Sequence, residues 1–122
     1  MEQQHHILVI DDNEDILYML QAMLKIKGYK VSVKKNIKAL DEDIEKLAPD
    51  VILMDMLLSG IDGREVCVHL KAHQQFARIP VIMISAHPEA KETCLAAGAD
   101  HFLEKPFEMS EMLRVVASAL SQ

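Results

Sequence analysis

Short, unbroken apolar runs recur along the chain, and most of them end at a charged or hydroxyl side chain. The runs cover residues 7–10, 51–54 and 81–84, and a fourth strand-like segment covers residues 101–104. The polar residues that follow them are Asp11 and Asp12, Asp55, Ser85 and Lys105. Apolar runs of this length without polar alternation are typical of strands buried on both faces. The pattern predicts the central strands of a parallel sheet.

Between these runs, hydrophobic residues recur at helical spacing. The predicted helices lie before Gly28, from a cap at Asn36 to Pro49, from Arg64 to His73, between Pro88 and Gly98, and around Met112, Leu113, Val116 and Leu120. Residues 30–34 alternate between polar and apolar, which indicates a more exposed edge strand. Five strands thus alternate with five helices. This alternation predicts an α/β fold in which helices cover both faces of a parallel sheet.

Composition narrows the class of protein. A length of 122 residues fits one domain, residues 1–122, with a single core. The net charge of −6 and the lack of any Lys/Arg cluster longer than two adjacent residues argue against direct contact with nucleic acid. No apolar run approaches the roughly 20 residues of a membrane span, and the start of the chain lacks the basic region of a signal peptide, so a cytoplasmic location is expected. Cys67 and Cys94 match no metal or disulfide spacing and are expected to be reduced packing residues.

The residues at the strand ends allow a specific chemistry. Side chains that follow parallel strands meet at one edge of the sheet, where α/β proteins bind their ligands. Carboxylates held close together repel one another unless a cation lies among them, and Mg²⁺ prefers oxygen ligands. An aspartate beside Mg²⁺ can attack phosphorus to form an aspartyl phosphate, and a lysine and a hydroxyl can stabilise the transferred group. The sequence therefore predicts a magnesium-dependent phosphoryl site.

Four motifs, in this order along the chain, carry a resemblance to a known family. They are Val9-Ile10-Asp11-Asp12-Asn13, Leu53-Met54-Asp55 with Gly60 and Asp62-Gly63 after it, Ile84-Ser85-Ala86, and Phe102-Leu103-Glu104-Lys105-Pro106-Phe107. Together they resemble the receiver domain of two-component response regulators, as found alone in the chemotaxis regulator. The resemblance spans nearly the whole chain. It implies a flavodoxin-like, doubly wound (βα)5 fold with strand order 2-1-3-4-5.

The resemblance also implies a role for each site residue. Asp55 would accept the phosphoryl group, and Ser85 and Lys105 would contact it. The Mg²⁺ ligands would be Asp11, Asp12, Asp55 and the backbone carbonyl of Leu57. Phe102 stands at the position of the family's switch aromatic, and the Lys105-Pro106 bond is expected to be cis. Ser59 replaces a proline that is common in the family, and a looser loop is expected there.

Partners follow from the same resemblance. A sensor histidine kinase or a histidine phosphotransfer protein would donate the phosphoryl group from a phosphohistidine. Phosphorylation would remodel the face formed by the fourth helix, fifth strand and fifth helix, and so change binding to a downstream protein or effector domain. Such a domain is not an enzyme, because it catalyses only its own phosphorylation and dephosphorylation. Both a monomer and a phosphorylation-dependent dimer fit the sequence.

Other interpretations remain open at this stage. Asp11, Asp12 and Asn13 can also cap the first helix, and Phe102 can be an ordinary core residue. A small magnesium-dependent phosphatase of the haloacid dehalogenase type also forms an aspartyl phosphate, but its DxD signature does not match the residues after the first strand. A receiver-like scaffold that is never phosphorylated is a third interpretation. Such a scaffold would bind Mg²⁺ but, unlike a phosphorylated receiver domain, would not accept a phosphoryl group.

Overall fold

A computed structural model describes residues 4–122 and contains a five-stranded parallel sheet. Residues 1–3 lie outside the described residues. The predicted domain bounds of 1–122 and the prediction that no signal peptide is present both include these three residues. The strands are β1 (His6–Ile10), β2 (Lys30–Lys34), β3 (Val51–Asp55), β4 (Val81–Ser85) and β5 (His101–Glu104). Their order across the sheet is β2-β1-β3-β4-β5, with every neighbouring pair parallel. The predicted fold class and strand order are confirmed.

Five α-helices connect and cover the strands. They are α1 (Glu14–Ile26), α2 (Leu40–Leu47), α3 (Gly63–Ala72), α4 (Lys91–Ala96) and α5 (Met109–Leu120). One buried cluster joins α1 and α5 to one face of the sheet, and a second joins α2, α3 and α4 to the other face. Successive residues of β1 alternate between the clusters, with Ile7 and Val9 in the first and Leu8 and Ile10 in the second. The uniform apolar runs are thus explained by burial on both faces.

The start of the second helix was predicted wrongly. Asn36 does not cap it, because its side chain accepts a hydrogen bond from the Lys38 amide at 3.1 Å and forms a local turn. The helix begins four residues later, at Leu40, without a side-chain cap. Asparagine commonly bonds to the backbone two residues ahead, and this turn competes with its role as a helix cap. The amphipathic pattern located the helix but not its first residue.

Two further segments differ from the prediction. The loop between Leu57 and Asp62 contains a short antiparallel hairpin, in which Leu57–Leu58 pairs with Ile61–Asp62. We call this segment the 57–62 hairpin. The predicted fourth helix begins as a 3-10 turn at Pro88–Ala90 before α4 itself. Two other local predictions agree with the structure. Gly28 adopts the left-handed conformation after α1, and the Lys105-Pro106 bond is cis.

The structure tests the expectation that no segment spans a membrane only for the residues that it describes. Among residues 4–122, no helix combines the length and apolar character needed to cross a bilayer.

Both cysteines are free and fully buried, which leads to a prediction about their reactivity. Burial raises the pKa of the Cys67 thiol to about 11 and also raises the pKa of the Cys94 thiol. Because the thiolate is the reactive form, neither cysteine should react with a thiol reagent in the native protein near neutral pH. Titration with a chromogenic disulfide should therefore detect two thiols only after denaturant is added. Rapid labelling of either cysteine in the native state would contradict this burial.

Candidate active site at the carboxyl edge of the sheet

The site is formed where three neighbouring strands end. Asp11 follows the last residue of β1, Asp55 is the last residue of β3, and Ser85 is the last residue of β4. Backbone hydrogen bonds fix this edge, since the Asp11 amide bonds to Lys34 and the amide that follows Asp55 bonds to the Ile84 carbonyl at 2.8 Å. The parallel register therefore brings together residues that are far apart in sequence, as the apolar runs predicted.

Three carboxylates form a compact oxygen cluster at this edge. Asp11, Asp12 and Asp55 each offer one ligand atom, and these atoms lie within 4.8 Å of one another. The Asp11 side chain is 1% exposed and the Asp55 side chain 14% exposed. An all-oxygen donor set suits a hard cation such as Mg²⁺. The donor set therefore fits the predicted metal.

Lys105, the residue that follows β5, is the cation that faces this cluster. Its Nζ lies 3.4 Å from Asp55 Oδ1 and 3.5 Å from Asp11 Oδ2. The backbone of Lys105 is held as well, because its amide donates to the Ser85 carbonyl at 2.9 Å. One ammonium group thus lies within reach of two carboxylates, and it reduces their mutual repulsion without balancing it.

The charge balance is visible in the pKa of Asp55. Burial raises the pKa of the Asp55 carboxyl above its usual value, and the negative charge of Asp11 raises it further. The ammonium of Lys105 acts in the opposite direction but does not cancel these effects. An additional positive charge nearby would stabilise the ionised carboxylate of Asp55. The site therefore favours binding of a cation.

Ser85 lies beside the cluster with its side chain buried. Its hydroxyl oxygen accepts a hydrogen bond from the His87 amide at 3.0 Å. A hydroxyl that accepts still carries its own proton, so Ser85 remains able to donate to a negatively charged ligand. Its predicted position at the end of β4 agrees with the structure, and its predicted role stays a prediction.

Leu57 and Phe102 lie further from the carboxylates. Leu57 begins the 57–62 hairpin, and its side chain is about half exposed just after β3. Phe102 is partly buried on β5 and packs against the cluster under α2, α3 and α4. Its register partner is Met83 on β4. The structure thus places Phe102 three residues before Lys105, packed over the core beneath α4.

The first helix has its own cap, which resolves one open interpretation. Asn13 caps α1, because its side chain accepts from the Ile16 amide at 3.1 Å. Asp11 instead accepts from the Asn13 amide at 2.9 Å with one oxygen, while its other oxygen faces Lys105. The helix therefore does not need the aspartates as caps, and both can take part in the cluster.

Ser59 has a contact that the sequence did not reveal. Its amide and its hydroxyl both donate to Asp12 Oδ2, at 2.9 and 3.0 Å. Sequence reasoning noted only the replacement of a common proline and expected a looser loop. The turn pair Ser59-Gly60 was the available signal for a hairpin, but nothing local indicated a bond to a residue 47 positions earlier.

Gly63 packs directly against the backbone that carries Asp55. A Cβ atom at this position would lie 2.8 Å from the Asp55 carbonyl oxygen and 2.9 Å from that of Met56. We expect Gly63→Ala to lower the free energy of unfolding by about 1–3 kcal/mol, because backbone atoms must move to make room. Chemical denaturation would measure this loss. The Gly28→Ala variant is the comparison for backbone strain without a clash, since its methyl group would meet no atom within 4 Å but its φ of 99° disfavours alanine. Unchanged stability in Gly63→Ala would contradict the close contact.

Comparison with known proteins identifies relatives that match nearly the whole chain. The family model described as the response regulator receiver domain matches residues 7–117. The phosphate regulon transcriptional regulatory protein PhoB of Rhizobium meliloti is 30% identical over 116 residues, which are 93% of this chain and 51% of that protein. This chain therefore spans about half the length of such curated relatives.

Solved structures agree with this match. A putative response regulator from Chloroflexus aurantiacus superposes with a TM-score of 0.92 at 31% identity, covering 98% of this chain and all of that one. The receiver domain of the sensor histidine kinase PA1611 from Pseudomonas aeruginosa gives a TM-score of 0.86 at 29% identity, covering 98% of this chain and 100% of that one. That structure has a magnesium ion coordinated in its active site cleft.

Proposed function

Because this chain belongs to the response regulator receiver domain family, we propose that Asp55 is the residue that accepts the phosphoryl group. One observation carries the assignment. Asp55 lies at the end of a central strand with two other aspartates within 4.8 Å and the Lys105 ammonium at 3.4 Å. Asp11 is almost fully buried beside it, and Asp55 is the less buried of the two. A donor can therefore reach Asp55 but not Asp11. Asp12 is exposed, but its Oδ2 is bonded to Ser59, and Asp55 is the accessible carboxylate with the Lys105 ammonium beside it.

The metal proposed for this site is Mg²⁺. Asp11, Asp12, Asp55 and the backbone carbonyl of Leu57 would hold it, since the cluster offers only oxygen and the 57–62 hairpin begins two residues after Asp55. When bound, Mg²⁺ supplies charge neutralisation between the carboxylate and the incoming phosphoryl oxygens. The raised pKa of Asp55 is consistent with this assignment, because burial first and the charge of Asp11 second disfavour the ionised carboxylate, and a bound cation would favour it.

The proposed reaction moves one phosphoryl group and breaks one bond. An Asp55 carboxylate oxygen attacks the phosphorus of a phosphohistidine on a sensor kinase or phosphotransfer protein. The phosphorus–nitrogen bond breaks, and its electron pair leaves with the donor imidazole, which takes up a proton. Lys105 neutralises charge on the phosphoryl oxygens through Nζ, and the Ser85 hydroxyl donates a hydrogen bond to one of them. Hydrolysis by water later restores Asp55.

The output of this reaction is a change of surface rather than a released product. One added dianion would draw Ser85 toward the phosphoryl group and allow Phe102 to repack beneath α4. The surface affected comprises α4, β5 and α5, and a downstream protein or an output domain would bind it. Self-catalysed phosphorylation and dephosphorylation are the only catalysis proposed. The cytoplasmic location, the absence of direct nucleic acid contact and the choice between monomer and dimer stay predictions.

Intact mass after incubation with acetyl phosphate tests this function. The wild-type protein is expected to gain the mass of one phosphoryl group in the presence of Mg²⁺ and to lose it in hydroxylamine, which cleaves acyl phosphates. Chelation of the metal with EDTA should prevent the gain. The same incubation with a purified histidine phosphotransfer protein, already phosphorylated on its histidine, provides a second donor.

The alternative functions are distinguished when this experiment is combined with assays of phosphate release and of Mg²⁺ binding. Steady release of inorganic phosphate from many small phosphate esters would favour a phosphatase. Normal Mg²⁺ binding without phosphorylation by either donor would favour a scaffold. No Mg²⁺ binding and no phosphorylation would contradict the proposed function as a whole.

A further inference from the structure

The turn of the 57–62 hairpin has an unusual conformation for its residue type. Ser59 and Gly60 connect the two short strands, and both have positive φ angles, 48° and 85°. Turns with two left-handed residues suit the twist of a hairpin, but they favour asparagine or glycine over serine. Ser59 therefore adopts a backbone conformation that costs free energy, and contacts elsewhere must stabilise it.

That stabilisation comes from Asp12. The Ser59 amide donates to Asp12 Oδ2 at 2.9 Å, and the Ser59 hydroxyl donates to the same oxygen at 3.0 Å. Hydrogen bonds to an ionised carboxylate are stronger than those between neutral groups. Two donors on a single oxygen also fix the orientation of the carboxylate. The contact therefore joins the tip of the hairpin to the loop after β1.

A proline could not make this contact. Proline has no amide hydrogen to donate, and its ring fixes φ near about −65°, far from the left-handed region. Proline is common at this position in the receiver family, and a member with proline there can have neither this conformation nor these bonds. The link to Asp12 therefore depends on the serine of this chain.

We propose that Ser59 is a positioning residue for the metal site, an inference that rests on the proposed function. Ser59 orients the Asp12 carboxylate and holds the hairpin whose first residue, Leu57, carries the proposed carbonyl ligand. It thereby connects two of the groups assigned to the metal before the metal binds. Residues that orient a metal ligand through hydrogen bonds commonly change metal affinity by about 10-fold to 100-fold when they are replaced.

The coupling works in both directions. A site whose ligands are already oriented loses less conformational freedom when the metal binds, so its affinity is higher. By thermodynamic linkage, a bound metal would also stabilise the hairpin turn through Asp12. Metal affinity and the order of the 57–62 hairpin should therefore change together when Ser59 is replaced.

Calorimetric titration with Mg²⁺ tests the inference on the unphosphorylated protein. Three variants distinguish the effect of the Ser59 hydroxyl on Mg²⁺ affinity from the effect of the turn conformation. Ser59→Ala removes the hydroxyl and keeps the unfavourable φ, Ser59→Gly removes the hydroxyl and relieves the φ, and Ser59→Asn restores a side-chain donor in a residue that tolerates this conformation. We expect Mg²⁺ affinity to fall about 10-fold in the alanine and glycine variants and to return to within about 3-fold of wild type in the asparagine variant.

Ser110→Ala is the matched control, because this serine is exposed in the first turn of α5 and contacts none of the carboxylates assigned to the metal. Thermal unfolding without metal shows whether each variant is folded. Amide exchange gives a second readout that does not depend on metal, since Asp12→Ala should accelerate exchange at the Ser59 amide.

Several outcomes would overturn the inference. Wild-type affinity in both Ser59→Ala and Ser59→Gly would show that the hydroxyl does not orient Asp12. Weakening in Ser59→Ala alone would assign the effect to turn conformation, and weakening in all three variants would exclude rescue by a side-chain donor. If wild type binds Mg²⁺ and is phosphorylated normally, these results overturn only the role of Ser59. If wild type neither binds Mg²⁺ nor is phosphorylated, the proposed function fails with it.

Discussion

Replacing Asp55 with asparagine is expected to abolish the magnesium-dependent gain of a phosphoryl group. Asparagine keeps the size and shape of the side chain but lacks the anionic oxygen that attacks phosphorus. The variant also removes one of the three carboxylates whose ligand atoms lie within 4.8 Å of one another. Intact mass after incubation with acetyl phosphate and Mg²⁺ measures the result, which should be complete loss rather than a reduced rate.

Asp50→Asn is the matched control for that experiment. Asp50 precedes β3 at the opposite edge of the sheet, where it accepts a hydrogen bond from the His6 amide at 2.7 Å, and asparagine can still accept there. This variant should be phosphorylated as wild type is. A hydroxylamine-sensitive phosphoryl group on the Asp55→Asn protein would mean that another carboxylate of the cluster is the acceptor.

The same variant should be more stable than wild type near neutral pH when no divalent ion is present. A raised pKa means that the folded protein disfavours the ionised form of Asp55, through burial and the charge of Asp11. Ionised Asp55 therefore opposes folding at neutral pH, and this opposition is lost as the pH falls through the raised pKa. Thermal unfolding of both proteins should show a difference that shrinks in acid. Equal stability at neutral pH would contradict the charge balance described for this site.

Lys105→Met is expected to slow phosphorylation by about a hundred to a thousand fold, the range seen when one group that stabilises transition-state charge is removed. Methionine has a similar length and no charge. Its introduction would leave the ionised oxygens of Asp55 and Asp11 without the ammonium that lies 3.4 and 3.5 Å away. The transferred phosphoryl group would lose the same partner. The decrease in phosphorylation rate should therefore exceed that caused by removing any single surface charge.

The rate of phosphoryl gain, followed by mass over time, measures this effect. Lys27→Met is the control, because Lys27 is exposed at the end of α1, away from the carboxyl ends of the strands. Mg²⁺ affinity should be retained or increased in Lys105→Met, since the metal would no longer compete with a nearby cation. A wild-type rate of phosphorylation in this variant would exclude Lys105 from the site.

The strands could be predicted because their signal is local. Val51 to Met54 are all fully buried, and only an apolar run can occupy a strand covered on both faces. The less regular β2 is only partly buried, as its alternating sequence indicated. Residues that follow the central strands were thus assigned to one edge without knowledge of any distance. The family motifs then gave the strand order.

Helix starts and short turns were harder to predict because several local structures compete for the same residues. Asn36 can cap a helix or close a turn onto Lys38, and the structure has the turn. The 57–62 hairpin has only two residues in each strand, too few to show an alternating pattern. In both segments the free energy difference between local conformations is small, so tertiary contacts decide which one forms.

The order of apolar and polar residues is enough to place Asp11, Asp55, Ser85 and Lys105 at strand ends, and hence at one edge of the sheet. Apolar runs and turn residues carry that information because burial and backbone conformation act on neighbouring positions. The distances from Lys105 to two carboxylates and the two bonds from Ser59 to Asp12 are instead set by the folded chain. Those contacts join segments that are 47 to 94 residues apart. Their geometry depends on the packing of the whole sheet, which no local pattern contains.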